Sequence, residues 1–252
     1  MRHCFLTVCL CLAGILAWQA APAKTTVFCI GDSTMATKTE KDNPLERGWA
    51  QMLQLYFDSD HVVVDNHAKN GRSTKSFIDQ GLWKAVYDKI QPGDYVFIQF
   101  GHNDEKSEAT AARGGYTEYL TKYVREVREK GGHPVLMTPI VRRRFDENGQ
   151  FYESHGEYPD VVRELARTLK VPLIDMQAKT EKLLRTMGEE DSKKIFLFVA
   201  PGVLTKYPDG VEDNTHLCDF GAIRIAGLAV DGIISARLPI RKYLKPGMLK
   251  ID

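Results

Sequence analysis

Along the chain, apolar runs of strand length alternate with segments whose apolar residues recur every three or four positions. The runs at 25–30 (TTVFCI), 61–65 (HVVVD), 94–100 (DYVFIQF), 133–138 (HPVLMT) and 171–175 (VPLID) are rich in Val, Ile and Phe and nearly unbroken in hydrophobicity. Continuous rather than alternating hydrophobicity predicts parallel strands buried on both faces. Segments 49–57, 76–90, 117–130 and 158–169 lie between these runs and carry the helical period, as in Leu120, Val124 and Val127. They predict amphipathic helices with one face turned inward. Gly131-Gly132 and Pro92-Gly93 follow two of them as stop signals. A last apolar segment, FGAIRIAGLAVDGIISARL, predicts a terminal helix with Asp219 as its N-cap. The repeated strand and helix order predicts one α/β fold, a three-layer α/β/α sandwich on a parallel sheet of about five strands, because right-handed crossovers place helices on both faces.

No Gly-, Ser- or Pro-rich linker, low-complexity stretch or repeat divides residues 24–252, which are read as one domain. Residues 140–157 (IVRRRFDENGQFYESHGE) form a long polar connection with Asn148-Gly149 as a tight turn, and long loops of this kind often serve a site. The start of the chain departs from the pattern. Met1-Arg2-His3 is followed by CFLTVCLCLAGILAW and then by Ala20-Ala21-Pro22-Ala23, the order of a secretory signal peptide. The apolar stretch is short for a membrane span, and the small residues at Ala21 and Ala23 fit cleavage near Ala23. Residues 1–23 are therefore expected to be a signal peptide, and the mature chain an exported protein, periplasmic or extracellular, with no stable membrane anchor. Cys9 and Cys11 follow Val8 and Leu10 rather than a small residue, which argues against a lipoprotein. Cleavage would remove Cys4, Cys9 and Cys11 of the five cysteines. Cys29 and Cys218 remain, as one disulfide or as two free thiols, and a disulfide scaffold is excluded.

A formal net charge of +1 without long blocks of like charge gives no nucleic-acid footprint, so charged ligands must be recognised locally. In open α/β sheets ligands sit beyond the carboxyl ends of the strands, which directs attention to what each strand ends in. The first ends in Gly31-Asp32-Ser33-Thr34, where Gly31 is expected to let the backbone turn sharply. The second leads into Ala68-Lys69-Asn70-Gly71-Arg72-Ser73, and the third ends in Gly101-His102-Asn103-Asp104. Asp213-Asn214-Thr215-His216 lies just ahead of the terminal helix, with Asp213 and His216 expected on a turn.

Taken singly, each cluster has an ordinary explanation as an Asx turn, a positive-φ glycine or a cap. Together they supply the parts of a serine hydrolase. Ser33 is the candidate nucleophile, His216 its base and later the acid for the leaving alcohol, and Asp213 the group that fixes the imidazole. Candidate oxyanion donors are the backbone N–H groups of Ser33 and Gly71 and the side-chain amide of Asn103. His102, Asp104, Asp213 and His216 are also metal-ligand types, but they lack the tight spacing of zinc motifs, and neither a metal nor another cofactor is expected. An α/β-hydrolase elbow fits less well, since Ser33-Thr34-Met35 lacks the second glycine and the acid lies only three residues before the histidine.

These four blocks, Gly31-Asp32-Ser33, Gly71, Gly101-His102-Asn103-Asp104 and Asp213-Asn214-Thr215-His216, resemble those of the SGNH, or GDSL, hydrolases over nearly the whole mature chain. The resemblance implies Ser33, Gly71, Asn103 and His216 as the four named residues, Asp213 as the triad acid, and a flavodoxin-like sandwich. The stretches GDSTMA, NHAKNGRSTKSF, FIQFGHND, TPIVRRRFDENG and DNTHLCDFGA are similar to rhamnogalacturonan acetylesterases, apart from Leu217-Cys218, where relatives carry an aromatic and a polar residue. The activity implied is removal of acetyl groups from the galacturonate residues of pectin, with an acetylated polysaccharide or oligosaccharide as the partner. One of Arg142, Arg143 and Arg144 is then a candidate for holding a galacturonate carboxylate, because guanidinium binds carboxylate in bidentate fashion. Trp49, Trp83 and Tyr116 offer rings for sugar stacking, although Trp49 and Trp83 sit at core spacing. The competing expectations are an SGNH esterase, lipase or thioesterase with another acyl substrate, acetylxylan included, and a non-catalytic carbohydrate-binding protein.

Overall fold

The computed structural model describes residues 24–41 and 43–247, so the expected signal peptide lies outside the described residues. In chain order the elements are β1 (Thr25–Gly31), β2 (Glu46–Arg47), α1 (Trp49–Met52), β3 (Val62–Asn66), α2 (Thr74–Asp79), α3 (Leu82–Tyr87), β4 (Tyr95–Gln99) and α4 (Thr117–Glu129). There follow β5 (His133–Met137), α5 (Tyr158–Thr168), β6 (Leu173–Ile174), α6 (Met176–Ser192), β7 (Phe196–Val199), β8 (Val211–Cys218) and α7 (Asp219–Ser235).

All five predicted apolar runs pair as one parallel sheet in the order β3-β1-β4-β5-β6. Counted within that sheet the order is 2-1-3-4-5, the flavodoxin-like winding, whose reversal point lies at the carboxyl ends of β1 and its neighbours. Alternate residues of each strand enter two cores. Val27, Cys29, Phe97, Val135 and Met137 pack with Trp49, Leu53 and the α7 residues Ile225, Ala229 and Ile233 on one face. Phe28, Ile30, Val96, Ile98 and Leu136 pack with Phe77, Trp83, Val124, Val127 and Val162 on the other. Each fully buried side chain of this size stabilises the fold by roughly 1.5–3 kcal/mol, so both faces of the sheet are strongly specified.

Several elements differ from the periodicity. Segment 49–57 is one turn of α-helix followed by a tighter 3₁₀ turn at Leu53–Tyr56, and segment 76–90 is broken into α2 and α3 at Gln80-Gly81. The terminal helix is capped by Cys218 rather than Asp219, the Cys218 Sγ accepting from the Gly221 N–H at 3.4 Å. Asp219 instead pairs with Arg47 at 3.0 Å. Cys29 and Cys218 are both free thiols. Trp49, Trp83 and Tyr116 are buried, at 0%, 4% and 0% exposed, so none presents a ring to a sugar.

A second, antiparallel sheet in the order β2-β8-β7 stands beside the main one. It takes in the Asp213–His216 segment, which is strand rather than a turn ahead of a helix. Residues 146–150 do close tightly, the Gly149 N–H donating to the Asp146 carbonyl and the Asp146 N–H to that of Gln150, each at 3.0 Å. Among the described residues no helix is long and apolar enough to cross a membrane.

Candidate active site

Strand β1 delivers Ser33 on a turn bolted to the core. Asp32 is fully buried, and its Oδ1 accepts from the Thr34 N–H at 2.9 Å and the Thr34 hydroxyl at 2.8 Å. The Thr34 Oγ1 accepts in turn from Gln99 Nε2 at 2.9 Å, and Gln99 Oε1 from Trp49 Nε1 at 3.2 Å. This buried chain leaves Ser33 half-buried between two fixed residues. Gly31 is needed for a reason other than the expected sharp turn: a Cβ there would lie 2.4 Å from the Gln99 carbonyl oxygen and 2.4 Å from Met35 Sδ. Close approach of β4, not a left-handed dihedral, excludes a side chain.

Opposite Ser33 stands β8. Its register against β7 slips between Phe196, which faces Leu217, and Leu197, which faces Asp213. Residues 214–216 are therefore extruded from the ladder as an enlarged bulge, a device that re-aims side chains beside a site. His216 Nε2 lies 2.9 Å from Ser33 Oγ, and His216 Nδ1 lies 2.7 Å from Asp213 Oδ2. Asp213 Oδ1 accepts from the backbone N–H groups of Thr215 at 2.8 Å and His216 at 2.9 Å. With the Nδ1 proton donated to Asp213, Nε2 is left to accept from the Ser33 hydroxyl. Burial opposes charge on both partners, but the mutual hydrogen bond and attraction outweigh it. Asp213 is held down at about 2, and His216 is raised above the ordinary imidazole value.

The loop after β3 carries Gly71 at a φ of 72°, with nothing near its Cβ position, so this glycine serves its left-handed backbone. The loop is fastened on three sides. The Lys69 N–H donates to the Gly31 carbonyl at 3.0 Å, Asn103 Nδ2 to the Arg72 carbonyl at 3.2 Å, and the Lys38 ammonium to Asn70 Oδ1. Lys38 also pairs with Glu46 at 2.7 Å, on the strand adjoining β8. Among the described residues no protein acceptor takes the backbone N–H of Ser33 or of Gly71. Two amide donors thus stand unengaged, one on the residue whose hydroxyl is bonded to an imidazole and one on the loop tied to the end of β1. The Asn103 amide joins the same edge, its Oδ1 accepting from Lys106 Nζ at 3.0 Å.

Below the site lies a buried polar layer. Burial pulls the His102 imidazole down to about 4 and pushes the Asp104 carboxyl up to about 7. Burial opposes ionisation of Asp32 as well, but His102 and the two Thr34 donors hold its carboxyl down at about 2. His102 Nδ1 sits 3.3 Å from Asp32 Oδ2, and Asp104 Oδ1 accepts from the N–H and hydroxyl of Thr74 at 2.9 and 2.5 Å. Asp104 therefore links the end of β4 to the first turn of α2.

The structure thus joins Ser33, His216 and Asp213 in one hydrogen-bonded chain and stitches the Gly71 loop to Asn103. It separates the three arginines. Arg142 is paired with Glu105, Arg143 is buried and bonded to Asn214, and Arg144 is exposed. Lys38 and Glu46 carry no sequence signal of their own, and Arg143 stands out only as part of a basic run expected to meet substrate, because a buried charge and a solvated one look alike in sequence. Among the described residues no group of three or more His, Cys, Asp or Glu side chains is arranged to hold a metal ion. The arrangement can activate a hydroxyl and stabilise an oxyanion, which is the chemistry of acyl transfer.

Comparison with known proteins agrees with that chemistry. Residues 29–197 match the GDSL-like Lipase/Acylhydrolase family. The chain is 44% identical over 218 residues to the rhamnogalacturonan acetylesterase RhgT of Bacillus subtilis, covering 86% of this chain and 93% of that one. It is 42% identical over 242 residues to a rhamnogalacturonan acetylesterase of Emericella nidulans, covering 87% and 89%. In three dimensions it is similar to the crystal structure of the YxiM protein of Bacillus subtilis, with a TM-score of 0.74 and 26% identity over 86% of this chain and 58% of that one.

Proposed function

Because the chain belongs to the GDSL-like lipase/acylhydrolase family, the SGNH hydrolases, and is an ester hydrolase, we propose that it deacetylates plant cell-wall polysaccharide, rhamnogalacturonan foremost. The observation that carries the mechanism is the hydrogen-bonded chain from Ser33 Oγ through His216 to Asp213, beside two unengaged backbone N–H groups. In this mechanism Ser33 Oγ attacks the acetyl carbonyl while His216 Nε2 takes its proton. The N–H groups of Ser33 and Gly71 and the Asn103 amide receive the oxyanion. The imidazolium, held by Asp213, protonates the departing sugar oxygen, leaving acetyl on Ser33. Water deprotonated by His216 then attacks that ester, acetate leaves, and Ser33 regains its proton.

A polar substrate is supported by the surroundings. A cavity of about 480 Å³ along the loop that leads to Gly71 is lined by Thr37, Lys38, Asn66, His67, Lys69 and Asn70, with Ala36, Ala68 and Leu82 as its apolar part, a lining that suits hydroxyl-rich sugar better than a long acyl chain. Of the arginine run, Arg143 is buried and the partly exposed Arg142 is paired with Glu105, whereas Arg144 is exposed, and we assign the galacturonate carboxylate to it. Residues 1–23 are read as an export signal and 24–252 as the enzyme, which places the activity outside the cytoplasm, where its polymer substrate is found.

The test is acetate release from acetylated pectin, acetylated xylan and aryl esters of increasing chain length, with Ser33→Ala alongside. Preferred release from pectin, lost by a folded Ser33→Ala protein, is the expected result. Activity retained by that variant removes Ser33 as nucleophile, and preference for long aryl esters removes the polysaccharide.

A further inference from the structure

The bulge that carries the acid–base pair needs a support that its own ladder no longer supplies. Residues 214–216 have no partner on β7; Asp213 takes the N–H groups of Thr215 and His216, which leaves the oxygens of Asn214 to be held from outside the sheet. Arg143 provides that contact. Its backbone N–H donates to the Asn214 carbonyl at 2.8 Å, and its Nη1 to Asn214 Oδ1 at 2.9 Å. One residue thus holds Asn214 by both of its oxygens. The rest of the guanidinium is anchored to the end of α6, where the helix is interrupted at Gly188. Nε donates to Ser192 Oγ at 3.1 Å and Nη2 to the Glu189 carbonyl at 2.7 Å. The rings of Phe145 and Phe198 flank it, with the guanidinium carbon 5.3 and 5.4 Å from their centres.

Arg143 is 7% exposed, which removes it from contact with a polysaccharide. Burying a cation is costly unless it is thoroughly hydrogen-bonded, and here most acceptors are neutral oxygens, with the Glu189 carboxylate 3.8 Å away. A planar fork that reaches two anchor points at once is a property of arginine and not of lysine. The geometry points to Arg143 as a positioning residue: acting through Asn214, it fixes the distance between Asp213 and His216 and so the basicity of the imidazole toward Ser33. This rests on the Ser33–His216–Asp213 mechanism proposed above.

Labelling of Ser33 by a fluorophosphonate probe, located by mass spectrometry and followed against pH, tests it in wild type, Asn214→Ala, Arg143→Lys and the double variant. Asn214 is half-buried, so its truncation keeps the test decisive should the buried Arg143 variant fail to fold. Asn214→Ala is expected to label roughly 10- to 100-fold more slowly, the scale of a small misplacement in an active site. Its acid limb is expected to move to lower pH, as the grip of Asp213 on His216 loosens. The double variant should be no slower than the slower single one, because both break the same link. A folded Asn214→Ala protein with a lower melting temperature but an unmoved limb and wild-type labelling overturns the inference, as do additive effects of the two substitutions. A wild-type protein that labels elsewhere than at Ser33 refutes the mechanism itself, and this inference with it.

Discussion

His216 is subject to opposing pulls. Burial favours its neutral form, while the hydrogen bond and charge of Asp213 favour the imidazolium, and the second effect prevails. The raised value means that His216 contributes stability fully present below its unfolded pKa, ordinarily near 6.5, and lost as pH rises through the folded value. In the proposed mechanism the same proton must be absent at the outset, so the acid limb of kcat/KM should lie above the ordinary imidazole value. Asp213→Asn is expected to move that limb to lower pH and to reduce kcat by roughly 10²–10⁴, the range of general acid–base contributions, and a pH–rate profile checks both. A limb that stays in place uncouples Asp213 from His216. At this scale the sequence was most informative where polar residues interrupt apolar runs, which is how Ser33, Gly71, Asn103, Asp213 and His216 came to notice. It was silent on Lys38 and gave Arg143 a substrate role that its burial removes, since the partners Asn214, Glu189, Ser192, Asn70 and Glu46 lie elsewhere in the chain or look like solvated polar residues.

Among the elements, the five parallel strands were legible because burial on both faces makes each an unbroken apolar run. Strand β8 was not, since VEDNTHLC is polar and its middle residues leave the ladder. Helix α6 was missed for a related reason: it buries only Met176, Gln177, Thr180, Leu184 and Ser192, too few apolar residues to set a period, though Asp175 caps it through the Ala178 N–H at 3.2 Å. The short strand β2 has a larger part than its two residues suggest. Glu46 on β2 meets Lys38, and Lys38 meets Asn70, so one ion pair ties the β8 side of the site to the Gly71 loop. The Lys38 side chain is 2% exposed, and removing its carboxylate leaves a buried ammonium without its counter-ion. Glu46→Gln should therefore cost about 3–5 kcal/mol in urea unfolding, and Lys38→Met/Glu46→Gln should recover part of that loss. Because the Glu46 charge also favours imidazolium at His216, the acid limb in Glu46→Gln should fall. A double variant less stable than Glu46→Gln rules out the orphaned ammonium as the cause.

Over the whole molecule, the buried layer of Asp32, His102 and Asp104 adds opposing responses of the fold to pH. Asp104 is raised from 3.8 to about 7 by burial, so its contribution to stability is fully present below 3.8 and is lost as pH rises through about 7. His102 is depressed from 6.5 to about 4, and its contribution is present above 6.5 and lost as pH falls through about 4. The two oppose one another across the mildly acidic range. Asp104→Asn keeps an acceptor for Thr74 but removes the first titration. Its melting temperature should gain on that of wild type as pH is raised from 5 to 8, and a constant difference would show that Asp104 does not titrate there. The winding of the main sheet could be inferred from alternation and right-handed crossovers, whereas the antiparallel sheet depends on pairings between distant parts of the chain that no local period records.

The contact between Ser33 and His216 spans 183 residues. A ribosome makes Ser33 early and His216 late, so for most of synthesis the Ser33 hydroxyl has no imidazole beside it. The small antiparallel sheet is then a closing step: until β8 settles between β2 and β7, a chain with its main sheet already formed lacks the base that the proposed mechanism requires.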